Sequence, residues 1–143
     1  MDLEWKYSEE ELDWNELSEL YRIAPLGEKK PDILKKAFGA SMFKCFVYGD
    51  GKLVAVGRAL ADGVDCSYLC DVAVHPEVQG SGLGRAVVSK LVELSDGHKK
   101  IVLYSYPGKE SFYKKLGFMR MSTAMAIFQD QEQALDWGLV NGT

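Results

Sequence analysis

Apolar residues recur at helical spacing over residues 11–24, where Leu12, Leu17, Leu20, Tyr21 and Ala24 share one side and Glu16 and Glu19 the other. Pro25 and Gly27 then interrupt the pattern, which predicts a first helix. A second opens at Pro31, because proline is tolerated in a first turn, with Ile33, Leu34, Ala37 and Phe38 as its apolar side before Gly39. Beyond Lys44 the rhythm changes. Two β-rich runs, Cys45-Phe46-Val47-Tyr48 and Leu53-Val54-Ala55-Val56, flank Gly49-Asp50-Gly51, the turn chemistry of a hairpin.

Residues 66–74 predict another strand, stopped at His75-Pro76 because proline cannot donate to a ladder. After a glycine-rich loop, Leu83, Ala86, Val87, Lys90, Leu91 and Leu94 mark an amphipathic helix ending at Gly97. Ile101-Val102-Leu103-Tyr104 is short and apolar, as a buried parallel strand should be. Strand, helix and strand thus form a βαβ unit with the glycine loop at the helix start. Residues 111–116 predict a short helix stopped by Gly117, and residues 118–128 one or two strands through a turn near Ser122 and Thr123. In the tail, residues 129–143, the side chains of Ala134, Leu135 and Trp137 are candidates for docking on the core or on a second subunit.

Composition narrows the class. A chain of 143 residues, 47% hydrophobic and 27% charged, is sized for a single α/β domain over residues 1–143. A net charge of −4, with lysine pairs scattered as solvated faces, argues against nucleic acid as a partner. Cys45, Cys66 and Cys70 are odd in number and lack CxxC spacing, which reads as a reduced protein. His75 and His98 belong to no metal-ligand pattern, so no metal is expected. The acidic start and the absence of a long apolar run lead us to expect a cytoplasmic protein with no membrane partner.

Chemistry concentrates in the loop of Gln79, Gly80, Ser81, Gly82, Leu83, Gly84 and Arg85. The first amides of a helix lack intrahelical partners and sit at its positive end, so they can hold phosphate oxygens. Alternating glycines admit such a ligand, and Gln79 and Arg85 can add donors at the rim. A dinucleotide GxGxxG fingerprint and a GxxxxGK loop both require glycine where Arg85 stands. Both fail.

The segment Gln79-Gly80-Ser81-Gly82-Leu83-Gly84, after a strand ending Asp71-Val72-Ala73-Val74-His75-Pro76, resembles the (Gln/Arg)-x-x-Gly-x-(Gly/Ala) signature of GNAT N-acetyltransferases. Phe112-Tyr113-Lys114-Lys115-Leu116-Gly117-Phe118 is similar to that family's second block, although Tyr106 and Lys109 stand where many relatives carry Asn and Ala. The resemblance implies a single-domain α/β fold: a mixed sheet flanked by helices, its central parallel strand pair splayed at the acetyl-CoA site. It also implies direct transfer of acetyl from acetyl-CoA to a primary amine of a small molecule, with a peptide amine the lesser candidate, and a possible homodimer.

Carried over residue by residue, the resemblance assigns main-chain contacts with pantetheine to Val72, Ala73 and Val74, with an amide among them polarising the acetyl carbonyl. Phe112 joins the cofactor-binding set, and Tyr113 matches the general acid, a phenol protonated at neutral pH. Asp71, at a strand end, is the first candidate for the base, and salt-bridging a neighbour is its alternative role. Strand alternation would put Leu69, Asp71 and Ala73 on one face. A non-catalytic acyl-CoA sensor or scaffold keeps the loop and needs no acid, so it remains the rival reading.

Overall fold

The computed structural model describes residues 1–142, which divide into two compact units, one ending at Leu103 and the other starting at Tyr104. The first unit carries β1 (Leu3–Lys6), α1 (Trp14–Ile23), α2 (Pro31–Gly39), β2 (Phe43–Gly49), β3 (Lys52–Ala61), β4 (Cys66–Val74), α3 (Leu83–Leu94) and β5 (Lys100–Val102). Its five strands lie in chain order in one mixed sheet. The first four are antiparallel neighbours, and β4 and β5 are parallel, as a strand pair joined through a helix must be.

The expected elements appear with informative shifts. α1 starts at Trp14 rather than residue 11 because Asp13 caps it, its carboxylate accepting from the amides of Asn15 and Glu16. Glu16, expected to face outward, instead accepts from the Leu53 amide at 3.0 Å and ties α1 to β3. β1 has no sequence signal of its own: its four residues become a strand by pairing with the edge of β2.

Two layers of helix enclose the sheet. On one face α1 and α2 bury Leu17, Leu20, Tyr21, Leu34 and Phe38 against Phe46, Leu53, Val56 and Ala73. Phe38 is the aromatic hub, 5.5 Å from Phe46 and 6.3 Å edge-on from Trp14. On the other face α3 comes so close at Gly57 that a Cβ there would lie 2.8 Å from Val87 Cγ1 and 2.9 Å from Leu91 Cδ1. Only a glycine in β3 leaves room for that approach.

The second unit contains α4 (Glu110–Lys114) and α5 (Gln131–Asp136). The turn expected at Ser122 and Thr123 is present, but residues 118–128 form no strand among the described residues. Met119, Met125 and Ile127 stand 90% or more exposed instead, and a run of β-prone side chains without a partner ladder is not a strand. Return strands would have made the parallel pair central; in this structure β5 is the edge of the sheet. The tail packs within its own unit: Ala134 is buried, Trp137 lies 6.3 Å from Tyr106, and Asp130 caps α5 through the Gln133 amide.

Candidate functional site

β4 is long and β5 short. Their ladder runs through Cys66↔Lys100, Ser67↔Ile101 and Tyr68↔Val102, and then β4 continues to Val74 without a partner on that side among the described residues. This is the splay expected of the parallel pair. It leaves backbone groups along Val72, Ala73 and Val74 outside the β4–β5 ladder, where an extended ligand can pair with them.

The loop follows directly. His75 is buried, donates its amide to the Val54 carbonyl at 2.7 Å, and accepts the Glu77 amide on Nδ1 at 3.1 Å, so it builds the turn. Gly80 and Gly82 have φ of 84° and 87° in open space, so their need is for left-handed backbone and not for room. Gly84 is needed for closeness: a Cβ there would sit 3.3 Å from Val74 Cγ2. The first intrahelical bond of α3 runs from the Ala86 amide to the Gly82 carbonyl, so the amides of Leu83, Gly84 and Arg85 precede it at the positive helix end.

Side chains of the loop divide between scaffold and surface. Gln79 does not stand free at the rim: its Nε2 donates to the Val74 carbonyl at 3.1 Å and to the Ala24 carbonyl at 3.4 Å. Ser81 Oγ donates to the Val78 carbonyl, Leu83 is buried as an anchor, and Arg85 is exposed. An anionic group with several oxygens fits this cradle: free amides at a helix start, two left-handed glycines, and one exposed guanidinium.

Asp71 occupies a bulge. Arg58 pairs with Cys70 and Val56 with Ala73, so Asp71 and Val72 together oppose Gly57, and Asp71 takes φ of 55°. The bulge interrupts the simple alternation: Ala73 packs in the core under α1 and α2, whereas Val72 Cγ2 lies on the α3 side of Gly57, with Val87 and Leu91. The Asp71 carboxylate lies 2.8 Å from Arg58 Nε and 3.7 Å from Lys29 Nζ, and its carbonyl accepts from Tyr21 Oη at 2.7 Å. The base candidate is therefore ion-paired as well as placed. Burial pushes the thiol of Cys70 up to about 11 and that of Cys45 to about 12, so neither is a thiolate nucleophile at neutral pH.

Sequence reasoning missed Tyr21, Lys29 and Arg58. Tyr21 read as core, but Arg58 left a usable signal, a lone cation inside the apolar run of β3.

In the second unit Tyr113 lies in α4, half-buried, with Phe112 5.0 Å away and Phe118 6.0 Å away, both edge-on. Its carbonyl accepts the amides of Leu116 and Phe118 and so closes the helix at Gly117. Burial raises the Tyr113 phenol above its ordinary range, which keeps the hydroxyl protonated at neutral pH. Among the described residues its hydroxyl has no hydrogen-bond partner, in contrast to that of Tyr21. Phe112 is partly exposed.

Residues 6–118 match the acetyltransferase (GNAT) family. A chloroplastic protein of Oryza sativa subsp. japonica named serotonin N-acetyltransferase 2 is 41% identical over 58% of this chain and 44% of its own. An uncharacterized ycf52-like N-acetyltransferase of Prochlorococcus marinus is 33% identical over 75% of this chain and 63% of its own. In both cases the chain spans less than two thirds of the relative's length. The crystal structure of a putative acetyltransferase from Deinococcus radiodurans R1 shares the fold, with a TM-score of 0.80 at 19% identity, covering 93% of this chain and 92% of that one.

Proposed function

The chain belongs to the acetyltransferase (GNAT) family, and from that premise we propose that it transfers acetyl from acetyl-CoA directly to a primary amine of a small molecule. The observation that carries this reading is the adjacency, along one strand and loop, of the side of β4 that lies beyond its ladder with β5 among the described residues and a helix start with left-handed Gly80 and Gly82. Acetyl-CoA would supply an acyl thioester, whose C–S bond breaks as the amine nitrogen bonds to the acyl carbon.

The chain's own groups have separable tasks. Backbone amides of Gly82, Leu83, Gly84 and Arg85 hold the pyrophosphate, joined by the Arg85 side chain, while Gln79, Gly80 and Ser81 shape the loop. Val72, Ala73 and Val74 hold the pantetheine arm by main chain, and Phe112 packs on it. Tyr113 keeps a proton on Oη for the leaving sulfur, and Asp71 takes the proton lost by the amine. For that, Arg58 or Lys29 must yield a carboxylate oxygen. The reading treats both units as one acetyltransferase domain.

A small-molecule acceptor is favoured over a peptide by the serotonin named for the rice relative. The acidic residues near the N-terminus do not select it, since Glu9 pairs with Lys44, Asp13 caps α1 and Glu16 binds the Leu53 amide. A homodimer and a cytoplasmic setting complete the proposal; sedimentation and cell fractionation test them, the latter against the chloroplast named for the rice relative. Among the described residues no helix is long and apolar enough to cross a membrane.

The deciding experiment is thiol release from acetyl-CoA against arylalkylamines, polyamines, amino sugars and peptides, with Tyr113→Phe beside the wild type. We expect turnover with a small amine, and a loss of about 10²–10⁴-fold in Tyr113→Phe with coenzyme A affinity unchanged. Coenzyme A binding without turnover on any amine would instead identify a binding module.

A further inference from the structure

Tyr21 is fully buried in α1, and its phenol crosses to β4 to donate to the carbonyl of Asp71 at 2.7 Å. That carbonyl belongs to the left-handed bulge residue. A non-glycine residue stays in this conformation only when its surroundings over-determine it. Here three segments do so: α1 through Tyr21, β3 through Arg58 Nε, and the α1–α2 connection through Lys29 Nζ. Lys29 is itself tied back to α1, its carbonyl accepting from Ser18 Oγ.

The carbonyl of Asp71 and the N–H of Val72 are two ends of one peptide plane, and among the described residues no peptide is cis. In a trans peptide they point in opposite directions. Holding the carbonyl on Tyr21 therefore aims the Val72 N–H away from α1, and a hydrogen bond accepted at one end polarises the donor at the other. We propose that Tyr21 is a positioning residue for acetyl transfer: through the Asp71 carbonyl it orients and strengthens the Val72 amide as the donor to the acetyl carbonyl. This selects one amide among the three along Val72, Ala73 and Val74, and it rests on the acetyl-CoA reading above. Burial, with a smaller contribution from the Asp71 carboxylate, raises the Tyr21 phenol well above its ordinary range, so the donor persists at neutral pH.

Tyr21→Phe removes the donor and keeps the ring. In the free protein we expect the Val72 amide resonance to shift while those of α3 stay in place, which reads the positioning without any ligand. We also expect kcat to fall by about tenfold or more with the KM for acetyl-CoA unchanged within about twofold, as for an interaction made only in the transition state. An unmoved Val72 resonance, a kcat within about twofold of wild type, or a raised KM with kcat kept would each overturn the role.

Wild-type protein that binds neither acetyl-CoA nor coenzyme A defeats the acetyl-transfer reading, and this role with it. Wild-type binding with an unmoved Val72 resonance in Tyr21→Phe defeats the Tyr21 role alone. Should the variant not fold, the wild-type protein still decides the hydrogen bond. Its Tyr21 hydroxyl proton must exchange slowly and show a nuclear Overhauser contact to the Val72 amide or to Asp71, and rapid exchange without that contact overturns the proposal.

Discussion

The unit ending at Leu103 and the chain from Tyr104 onward differ most in what they bury. Among the described residues every buried hydrophobic side chain except Ala134 belongs to the first, and most of them are completely hidden. The second is held by ring contacts such as Tyr104 with Phe128 and Tyr106 with Trp137, and by caps on two helices of five and six residues. The glycine-rich loop after β4 thus follows a strand of a packed sheet, and Tyr113 stands on a lightly buried segment. Stability concentrates where apolar burial does, so groups that must hold a fixed geometry gain from the first setting. A side chain on a short, lightly buried helix sits where local opening costs less.

The comparison can be broken by substitutions that should act unequally. Phe38→Ala removes the hub of the α1–α2 face and should cost about 3–5 kcal/mol in urea unfolding. A loss under about 1 kcal/mol would mean that this core is not the source of stability. Gly57→Ala should come next, at about 1–3 kcal/mol, because its methyl group would enter the space held by Val87 and Leu91.

A pH test sharpens the contrast further. The Asp62 carboxylate accepts from the amides of Val64, Asp65 and Cys66, and these bonds hold its pKa at about 2. The folded value lies below the unfolded one, so the stabilisation is present above the ordinary carboxylate range and is lost as pH falls through about 2. The urea midpoint of the wild type should therefore drop between about pH 4 and 2 by more than that of Asp62→Asn. Equal drops would remove this turn from the acid response. The smallest effect belongs to the second unit: Ile127→Ser, at a side chain 94% exposed, should stay within about 0.5 kcal/mol. A larger loss would reveal burial of this segment in solution, and concentration-dependent unfolding would attribute it to a second copy.

Legibility followed locality. Pro31 at a helix start, the Asp50-Gly51 turn and the stop at His75-Pro76 are encoded within a few residues, and each appears where the pattern puts it. The turn at residues 79–85 was legible for the same reason, since its glycines answer to their own φ or to one neighbour. β1 was not, because its strand character comes from β2. Residues 118–128 misled in the opposite sense: their composition is β-prone, but no ladder is supplied to them among the described residues.

By itself the sequence determined the order of helices and strands from α1 to β5, the glycine-rich turn between β4 and α3, and the family, because periodicity, turn chemistry and motif spacing are properties of adjacent residues. The tertiary structure alone decided how Asp71 is used. Its bulge depends on register against Gly57, and its partners Tyr21, Lys29 and Arg58 come from segments up to 50 residues away in the chain. Whether a carboxylate is free or paired is settled by which distant side chains folding brings to it, and no local pattern records that.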